Sequence, residues 1–390
     1  KFIKINGRLQ VDLYNFFRRE ENLTSYKLDY VAGHFIGDFV KSLDHKESKE
    51  TEIKTMNMTG LLEGSFVHFE EIGHSVDYYD NGAKFKVTYV NKLDGKFRIE
   101  GIVNPDMRKK VRWCLAKDDV TPKDIFRMTN GSADDRAVIA KYCIQDCALV
   151  IRLLRKLEVI SNNFGMSNVC LVPFSYIFLR GQGIKIYSAV VYNASKRNQI
   201  IMAQDGLESD VSYEGAIVLP PKIGMYLDQP IPVLDFNSLY PSNMIAFNLS
   251  PDTLLYVKTY DMTGKLLKHE GGQASDYPAY KVDDVSYDLK NEDGKAVGRV
   301  VCGYIQPTDD KRTLGLLPLS LDILLKKRKE TRKLMETIED DAQKSVLNGL
   351  QLAYKVVANS VYGQCGSKTS PIRKFEVAAS TTAVGRQKIY

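Results

Sequence analysis

The chain contains 390 residues, of which 44% are hydrophobic and 26% are charged, and its formal net charge at pH 7 is +6. This length predicts two or three domains of roughly 100–200 residues, with enough apolar residues for buried cores. No apolar run reaches the ~20 residues of a membrane-spanning helix and no signal-peptide pattern opens the chain, so we expect a soluble intracellular protein. The net charge is too small to predict a nucleic-acid partner by itself.

The two ends of the sequence do not look like natural termini. Lys1 is not an initiator methionine, and residues 385–390 stop inside a helical pattern without a helix stop signal. We therefore expect a fragment cut at both ends. Near the start, residues 7–13 alternate as in a strand, and an amphipathic segment follows at residues 14–21.

The six cysteines are scattered along the chain, without a C-x-x-C pair or a histidine at zinc-ligand spacing. This pattern favours reduced and mostly buried thiols over a zinc knuckle or a disulfide framework. The cysteines are Cys114, Cys143, Cys147, Cys170, Cys302 and Cys365.

A β-rich region is predicted within the first third of the chain. Asn81-Gly82 and Asp94-Gly95 separate three β-prone runs, and both dipeptides are typical of tight hairpin turns. The runs are residues 75–79, 84–90 and 96–103. We interpret residues 50–115 as an insertion that forms a small antiparallel sheet. Farther on, apolar residues at helical spacing predict a helix over residues 134–157, which would carry Asp146.

A carboxylate follows an apolar run in the middle of the chain. Residues 231–234 are apolar, which predicts a core strand that delivers Asp235 to the rim of a sheet, where a metal ion and a phosphate could meet it. A surface aspartate that opens a turn is the alternative.

Two basic helical patterns follow, at residues 314–336 and 341–361, and a short acidic link joins them into a predicted antiparallel hairpin. Residues 326–333 carry six cations against one acid. Arg328 and Arg332 are one helical turn apart, as are Lys355 and Asn359, with Gln351 one turn before Lys355. Cations aimed from two helices into one gap suit a triphosphate, whereas a solvated helix face is the alternative.

Five short motifs in a fixed order resemble those of the family B, or polymerase-alpha-like, DNA polymerases. They are Tyr142 to Asp146 (YCIQD), Tyr213 to Ala216 (YEGA), Asp235 to Ser242 (DFNSLYPS), Lys355 to Gly363 (KVVANSVYG) and Thr382 to Arg386 (TAVGR). The resemblance covers most of the chain, and five ordered motifs are far more specific than one. The large insertion is typical of polymerases from large DNA viruses.

The resemblance implies an α/β multidomain fold, with a partial RNase H-like exonuclease domain followed by a polymerase palm and antiparallel helical-hairpin fingers. The implied boundaries are 1–165 for the partial exonuclease domain, 166–232 for a connector, 233–313 for the first palm segment, 314–362 for the fingers and 363–390 for the returning palm.

The resemblance also implies an activity: template-directed addition of deoxynucleotides to a primer 3′-OH by two-metal phosphoryl transfer, with two Mg²⁺ ions. Asp235 would be a catalytic metal ligand and the Phe236 carbonyl a further ligand. The family's second palm carboxylate lies in a Y-G-D-T-D-S motif, which this sequence lacks. We therefore expect the 390-residue chain to be inactive alone.

Other positions match the family's substrate-binding residues. The backbone amides of Ser238 and Leu239 would contact the triphosphate, and Tyr240 would exclude a 2′-hydroxyl, although it could simply pack the palm core. The nucleotide-binding set is completed by Arg328, Arg332, Lys355, Asn359 and Tyr362. The implied DNA-binding set is Tyr213, Gly215, Gly363, Thr382, Gly385 and Arg386.

For proofreading, the resemblance assigns Asp146 as a metal ligand and Tyr142 as the residue that orients the attacking water. The family's D-x-E and N-x-x-F/Y-D motifs are absent, so this chain should not proofread although the intact protein would. Either residue could instead be an ordinary helix residue.

The implied partners are primer-template DNA, deoxynucleoside triphosphates and a sliding clamp, in the nucleus or at a viral replication site in the host cytoplasm. The alternative is a catalytically dead DNA-binding or scaffold relic of a polymerase, and a stand-alone nuclease is a weaker third interpretation. The leading hypothesis requires that Asp235, Arg328 and Lys355 face one cleft.

Overall fold

The computed structural model describes residues 5, 7–47, 49–117, 120–201, 213–291, 293–308 and 314–389. The chain divides into two compact units, residues 1–160 and 161–390. Residues 202–212 of the predicted connector and 309–313 of the predicted palm lie outside the description, and the finer domain boundaries stay predictions. None of the described helices is both long enough and apolar enough to cross a bilayer.

The first unit combines helices with an eight-stranded antiparallel sheet. Its strands are β1 (Gly37–Phe39), β2 (Ser42–His45), β3 (Glu50–Lys54), β4 (Phe66–Ile72), β5 (Val76–Tyr78), β6 (Phe85–Asn91), β7 (Lys96–Glu100) and β8 (Lys110–Ala116). The order is β1-β8-β4-β6-β7-β3-β2, and β5 pairs with the edge of β4. The helices described before residue 160 are α1 (Leu13–Glu20), α2 (Leu28–Phe35), α3 (Pro122–Thr129) and α4 (Ala133–Lys156), and α5 (Val159–Cys170) begins there.

Alternation along β4 and β8 gives this sheet a core face. Val67, Phe69 and Trp113 are fully buried, whereas their neighbours in sequence point to the opposite face. The Trp113 indole N–H donates a 3.1 Å hydrogen bond to the Thr55 hydroxyl, which satisfies the polar atom of a buried ring.

The prediction for the start of the first unit needs correction. Residues 7–13 do not form a strand, because the Asp12 carboxylate accepts the Tyr14 N–H at 3.0 Å and starts helix α1. The amphipathic segment noted at residues 14–21 corresponds to helix α1, which spans Leu13–Glu20.

The turn predictions had mixed outcomes. Asp94-Gly95 joins β6 to β7 in an antiparallel hairpin, as predicted. The predicted hairpin around Asn81-Gly82 is wrong, because β5 pairs with β4 instead of β6. Asp80 and Asn81 have positive φ values of 46° and 51° within a 3₁₀ turn, which redirects the chain. The sheet is also larger than the decoration expected within residues 50–115, since β1 and β2 precede that region and belong to it.

Helix α4 confirms the helix predicted over residues 134–157. A reciprocal cap starts it: the Ser132 hydroxyl accepts the Asp135 N–H at 3.1 Å, and the Asp135 carboxylate accepts the Ser132 N–H at 2.8 Å. This cap fixes the register in which Tyr142 and Asp146 project, one turn apart.

The second unit contains most of α5 together with α6 (Phe174–Leu179), α7 (Gln182–Lys196), α8 (Leu239–Ala246), α9 (Leu316–Thr337), α10 (Asp341–Gly366) and α11 (Phe375–Ile389). Its antiparallel sheet has the order β10-β9-β12-β11, formed by β9 (Leu254–Tyr260), β10 (Leu266–Gly271), β11 (Val282–Lys290) and β12 (Ala296–Ile305). The predicted helical hairpin is confirmed: α9 packs against α10, and residues 338–340 link them.

The start of α9 is anchored by polar side chains from the loop after α8. The Asn248 side-chain oxygen accepts the Gly315 N–H at 2.7 Å, and the Asp252 carboxylate accepts the Leu316 N–H at 3.0 Å. Asn248 also donates to the Ile305 carbonyl at the end of β12. These bonds satisfy orphan amides of the helix and fix it against the sheet.

The predicted core strand at residues 231–234 is wrong. These residues form no strand, and Val233 and Leu234 are 90% and 92% exposed. A strand needs a neighbour to accept and donate its ladder hydrogen bonds, and no described residue pairs with this segment. An apolar run therefore did not suffice to predict a strand.

Candidate active site

A cleft of about 430 Å³ lies within the second unit, between the segment before α8 and the helices α9 and α10. The structure brings Asp235, Arg328 and Lys355 together on its walls. The complete lining is residues Asp235, Phe236, Asn237, Ser238, Leu239, Tyr240, Pro241, Arg328, Lys355 and Asn359. One wall thus carries a carboxylate and a helix start, and the other carries two cations and an amide.

Asp235 is exposed at this cleft, and its carboxylate makes no hydrogen bond or ion pair with any residue that the structure describes. The following turn is well defined. Ser238 has φ 54° and ψ 59°, a left-handed conformation that is uncommon outside glycine, and α8 begins immediately after it. Ser242 holds the turn, because its hydroxyl donates to the Asn237 carbonyl at 2.9 Å and its N–H to the Ser238 carbonyl at 2.9 Å.

The opposite wall is organised by a buried glutamine. Gln351 is 8% exposed, accepts a 3.3 Å hydrogen bond from Arg328 Nε and donates to the Asn348 side chain at 2.9 Å. These bonds hold the guanidinium at the cleft, while Lys355 and Asn359 remain exposed one and two turns farther along α10. The side chains of these three α10 positions therefore follow one stripe, as their spacing predicts.

Arg332 is placed differently from the other predicted nucleotide-binding residues. It is exposed on α9, one turn beyond Arg328, and does not line the cleft. Its predicted role depends on movement that this conformation does not show, and a solvated helix face describes its present position.

Three tyrosines form a contiguous cluster beside the cleft. The rings of Tyr240 and Tyr362 have centroids 4.6 Å apart, and the Tyr362 hydroxyl lies 3.4 Å from the Tyr213 hydroxyl. Burial raises the pKa of both Tyr240 and Tyr362, so these phenols stay neutral across the physiological range. Tyr240 thus both lines the cleft and packs against the ring of Tyr362.

Helix α11 packs against this tyrosine cluster at a glycine. A Cβ at Gly385 would lie 3.0 Å from Cε1 of Tyr240, so only glycine admits the ring at this distance without displacement. By contrast, a Cβ at Gly363 would meet nothing within 4 Å, so its backbone borders open space.

The two predicted DNA-binding segments contact each other. Arg386 Nη1 donates to the carbonyls of Glu214 and Gly215 at 2.6 and 2.9 Å, and the Thr382 hydroxyl donates to the Glu214 carbonyl at 2.8 Å. Thr382 and Gly385 are buried, so they do not contact DNA directly in this conformation. Their predicted role in DNA binding would be to position the neighbouring backbone. Tyr213 packs edge-on against Phe375 in the same region.

In the first unit, Asp146 has a basic partner that the sequence interpretation missed. Lys117 Nζ donates to Asp146 Oδ2 at 2.9 Å and to the Tyr142 hydroxyl at 2.5 Å, and it lies 4.0 Å from the Tyr142 ring centroid. Asp146 Oδ1 lies 2.7 Å from the same nitrogen but accepts no well-aligned hydrogen bond. Burial alone would lower the pKa of Lys117, yet the bonds to Asp146 and Tyr142 outweigh it and raise that pKa.

Lys117 follows directly after β8. Its position, as a basic residue at the end of a buried strand, was the only feature of the sequence that could have indicated this contact. A cleft of about 130 Å³ is lined by Lys117 and Asp146, together with Glu63 and Arg152. A second acidic side chain, Glu63, thus borders the predicted exonuclease site.

Two family models match the sequence. The model described as DNA polymerase family B matches residues 172–390, and the model for the exonuclease domain of DNA polymerase family B matches residues 1–31. Since the first match covers more than half of the chain, this chain belongs to DNA polymerase family B. The family predicted from the five motifs is confirmed.

Two relatives found by sequence agree with this assignment. A DNA polymerase of Phaeocystis pouchetii virus is 40% identical over 407 residues, covering 100% of this chain and 39% of the relative. The DNA polymerase delta catalytic subunit of Candida albicans is 30% identical over 389 residues, covering 100% of this chain and 27% of the relative. A solved family B DNA polymerase from the archaeon Pyrobaculum calidifontis matches with a TM-score of 0.49 and 26% identity, over 70% of this chain and 31% of that one. The chain spans less than two fifths of the length of these relatives.

Proposed function

We propose that this chain is the part of a template-directed DNA polymerase that binds the incoming deoxynucleoside triphosphate and one catalytic metal ion. The observation that carries the proposal is the cleft in which Asp235 faces Arg328 and Lys355. In the longer polymerase, this site would serve the transfer of a nucleotidyl group to the primer 3′-oxygen with release of pyrophosphate.

The charges of the cleft suit a triphosphate bound with magnesium. Mg²⁺ prefers hard oxygen ligands and is held in such sites by few carboxylates together with phosphate oxygens. Asp235 and the Phe236 carbonyl would hold it, and the fit is supported by the exposed Asp235 carboxylate, which no described residue neutralises. When bound, the ions supply electrostatic stabilisation of the attacking and leaving oxygens.

The protein's own side chains would position the substrate. Arg328 is held by Gln351 in an orientation that exposes its remaining donors, and Lys355 adds a second cation across the phosphates. The first amides of α8, at Leu239 and beyond, supply the positive end of a helix dipole on the opposite wall. Tyr240, which the cluster holds in place, would abut the sugar and exclude a 2′-hydroxyl.

We also propose proofreading, as an activity of the complete enzyme. Asp146 would contribute one metal ligand and Tyr142 would orient the attacking water, although Lys117 neutralises the carboxylate in the present conformation. Primer-template DNA is the proposed partner, contacted near Gly363 and the segment that Arg386 holds, and a sliding clamp is a further proposed partner.

The direct test is an Asp235→Asn substitution in the full-length polymerase that contains this segment. Loss of a metal-binding carboxylate removes several kcal/mol of transition-state stabilisation, so we expect primer extension to slow by roughly 100-fold or more. Asp228→Asn is the matched control, since Asp228 is exposed on the same segment but does not line the cleft. DNA affinity should be unchanged in both variants. An unaltered extension rate in Asp235→Asn would overturn the proposal, whereas DNA binding without any primer extension by the unsubstituted polymerase would favour the catalytically dead relic.

A further inference from the structure

The first unit contains a cluster of three metal-ligating side chains that the proposed polymerase function does not use. His68 and Glu70 lie on β4, and Cys114 lies on β8 directly opposite His68 in the antiparallel register. One ligand atom from each of the three residues lies within 4.8 Å of the others. The cluster is formed by well-paired strands, so its backbone positions are fixed before any ligand arrives.

The cluster occupies the face of the sheet opposite the core. Val67, Phe69 and Trp113, the intervening residues, are fully buried on the core face. Helix α2 covers the cluster, and its closest approach occurs at Gly33, where a Cβ would lie 3.7 Å from His68 Cε1 and 3.8 Å from Cys114 Cβ. Cys114 is buried, whereas His68 and Glu70 are half-buried, so a small ion and a water molecule can reach the site from their side.

The histidine is the least satisfied member of the cluster. Neither of its ring nitrogens makes a hydrogen bond with any residue in the described part of the chain, and its ring packs near Tyr78 at a centroid distance of 5.6 Å. A ring nitrogen without a protein partner is available to a metal ion, for which neutral imidazole is a common ligand.

We propose that His68, Glu70 and Cys114 form a site for a zinc-class divalent ion, with a fourth position for water. Imidazole nitrogen, thiolate sulfur and carboxylate oxygen are the three donor types that Zn²⁺ takes in proteins, at about 2.0 to 2.3 Å. Tetrahedral geometry at these lengths sets donors about 3.5 Å apart. Small side-chain rotations would bring the three donors from their present separations to that spacing.

Arg112 is the competitor for this site. Its Nη1 lies 3.3 Å from Glu70 Oε2, while Nη2 donates to the carbonyls of His34 and Gly33 at 2.6 and 3.2 Å. The guanidinium is therefore anchored by the backbone of α2, and it contacts Glu70 at Oε2.

Metal binding would release a proton from the cysteine. Burial raises the pKa of the Cys114 thiol, so the side chain is protonated in the metal-free protein. The ion takes up the thiolate lone pair, and the displaced proton passes to solvent. Binding should therefore be accompanied by a thiolate-to-metal absorption band.

The test is a titration of the metal-free 390-residue chain with Co²⁺, followed by absorption spectroscopy. We expect a near-ultraviolet thiolate-to-cobalt charge-transfer band that saturates at one equivalent and disappears when Zn²⁺ is added. Carboxylate sites such as Asp146 and Asp235 cannot produce this band, so the readout is independent of polymerase or exonuclease activity.

Substitutions assign the band to the proposed residues. Cys114→Ser should abolish the band. His68→Gln and Glu70→Gln should each weaken Co²⁺ affinity by more than roughly 10- to 100-fold, which is the cost of losing a residue that only hydrogen-bonds to a metal ligand. Cys143→Ser is the matched control, since Cys143 is an exposed thiol of the same unit. Absence of the band in the wild-type chain, or its survival in Cys114→Ser, would overturn the proposal. Glu70→Gln alters a half-buried residue, so it tests the site even if Cys114→Ser fails to fold.

Discussion

At the scale of single residues, the environment of Tyr240 explains how one side chain can serve both packing and selection. Its ring contacts Tyr362 and closely approaches Gly385, and the residue also lines the cleft. The two interpretations left open by the sequence, core packing and a steric gate, are therefore compatible. A gate must be held rigidly if it is to distinguish a single oxygen atom.

We expect Tyr240→Ala to increase ribonucleotide incorporation by the full-length polymerase, because the cavity left by the ring would accept a 2′-hydroxyl. Competition between ATP and dATP in primer extension measures the change. Tyr280→Ala, which removes an exposed ring that does not line the cleft, is the control and should leave sugar selection unchanged. Unaltered selection in Tyr240→Ala would count against the gate.

At the scale of elements, Asp38 on β1 joins the sheet to the loop after β3. Its Oδ2 accepts hydrogen bonds from the Thr55 hydroxyl at 2.8 Å and from the N–H groups of Met56 and Asn57 at 3.0 and 2.7 Å. Burial acts to raise the pKa of Asp38, but these hydrogen bonds outweigh it and hold that pKa below its ordinary 3.8. A carboxyl whose pKa is lowered by folding stabilises the fold above its unfolded pKa, and this stabilisation is lost as pH falls through the folded value.

Asp38→Asn should therefore lower the free energy of unfolding of the first unit by about 1 to 3 kcal/mol at pH 7, and the difference should shrink towards pH 3. Trp113 is the only tryptophan in the sequence, and it donates a hydrogen bond to Thr55. Its fluorescence therefore reports urea unfolding close to Asp38. Asp80→Asn, at an exposed turn of the same unit, is the control. A difference that does not vary with pH would contradict the proposed role of the carboxylate.

The elements that the sequence predicted correctly are those determined by local information. Helices α4, α9 and α10 have long helical periodicity, and Asp94-Gly95 specifies its own turn. The failures concern which strand, if any, pairs with an extended run, which composition does not specify. Residues 231–234 have the composition of a strand but no described strand to pair with, and β5 found its neighbour in β4 instead of the next run along the chain.

At the scale of the whole molecule, the motifs identified the candidate side chains, but only the fold brings them together. Arg328 reaches the cleft because Asn248 and Asp252 fix the start of α9 and because Gln351 holds its guanidinium. The spacing of α10 placed Gln351 on the same stripe as Lys355, whereas Asn248 and Asp252 did not stand out in the sequence. Lys117 was likewise unpredictable, since its contact with Asp146 joins a strand end to a helix through tertiary packing.

The two compact units carry separate candidate chemistries. The second holds the proposed nucleotide site, and the first holds both the Asp146 site and the proposed zinc-class cluster at His68. Each site is formed by residues of one unit alone, so substitutions in one unit should leave ligand binding in the other unaltered.

The central claim is that Asp235, Arg328 and Lys355 bind a magnesium-bound nucleoside triphosphate, and calorimetric titration of the 390-residue chain with dATP and Mg²⁺ tests it most directly. Loss of a charge-assisted contact costs about 1.5 to 3 kcal/mol, so Lys355→Ala should weaken binding by roughly 10- to 100-fold. Lys329→Ala removes an exposed cation of the same hairpin outside the cleft and should have little effect at matched ionic strength. If the two substitutions weaken binding equally, or if Lys355→Ala has no effect, the assignment of the cleft is contradicted.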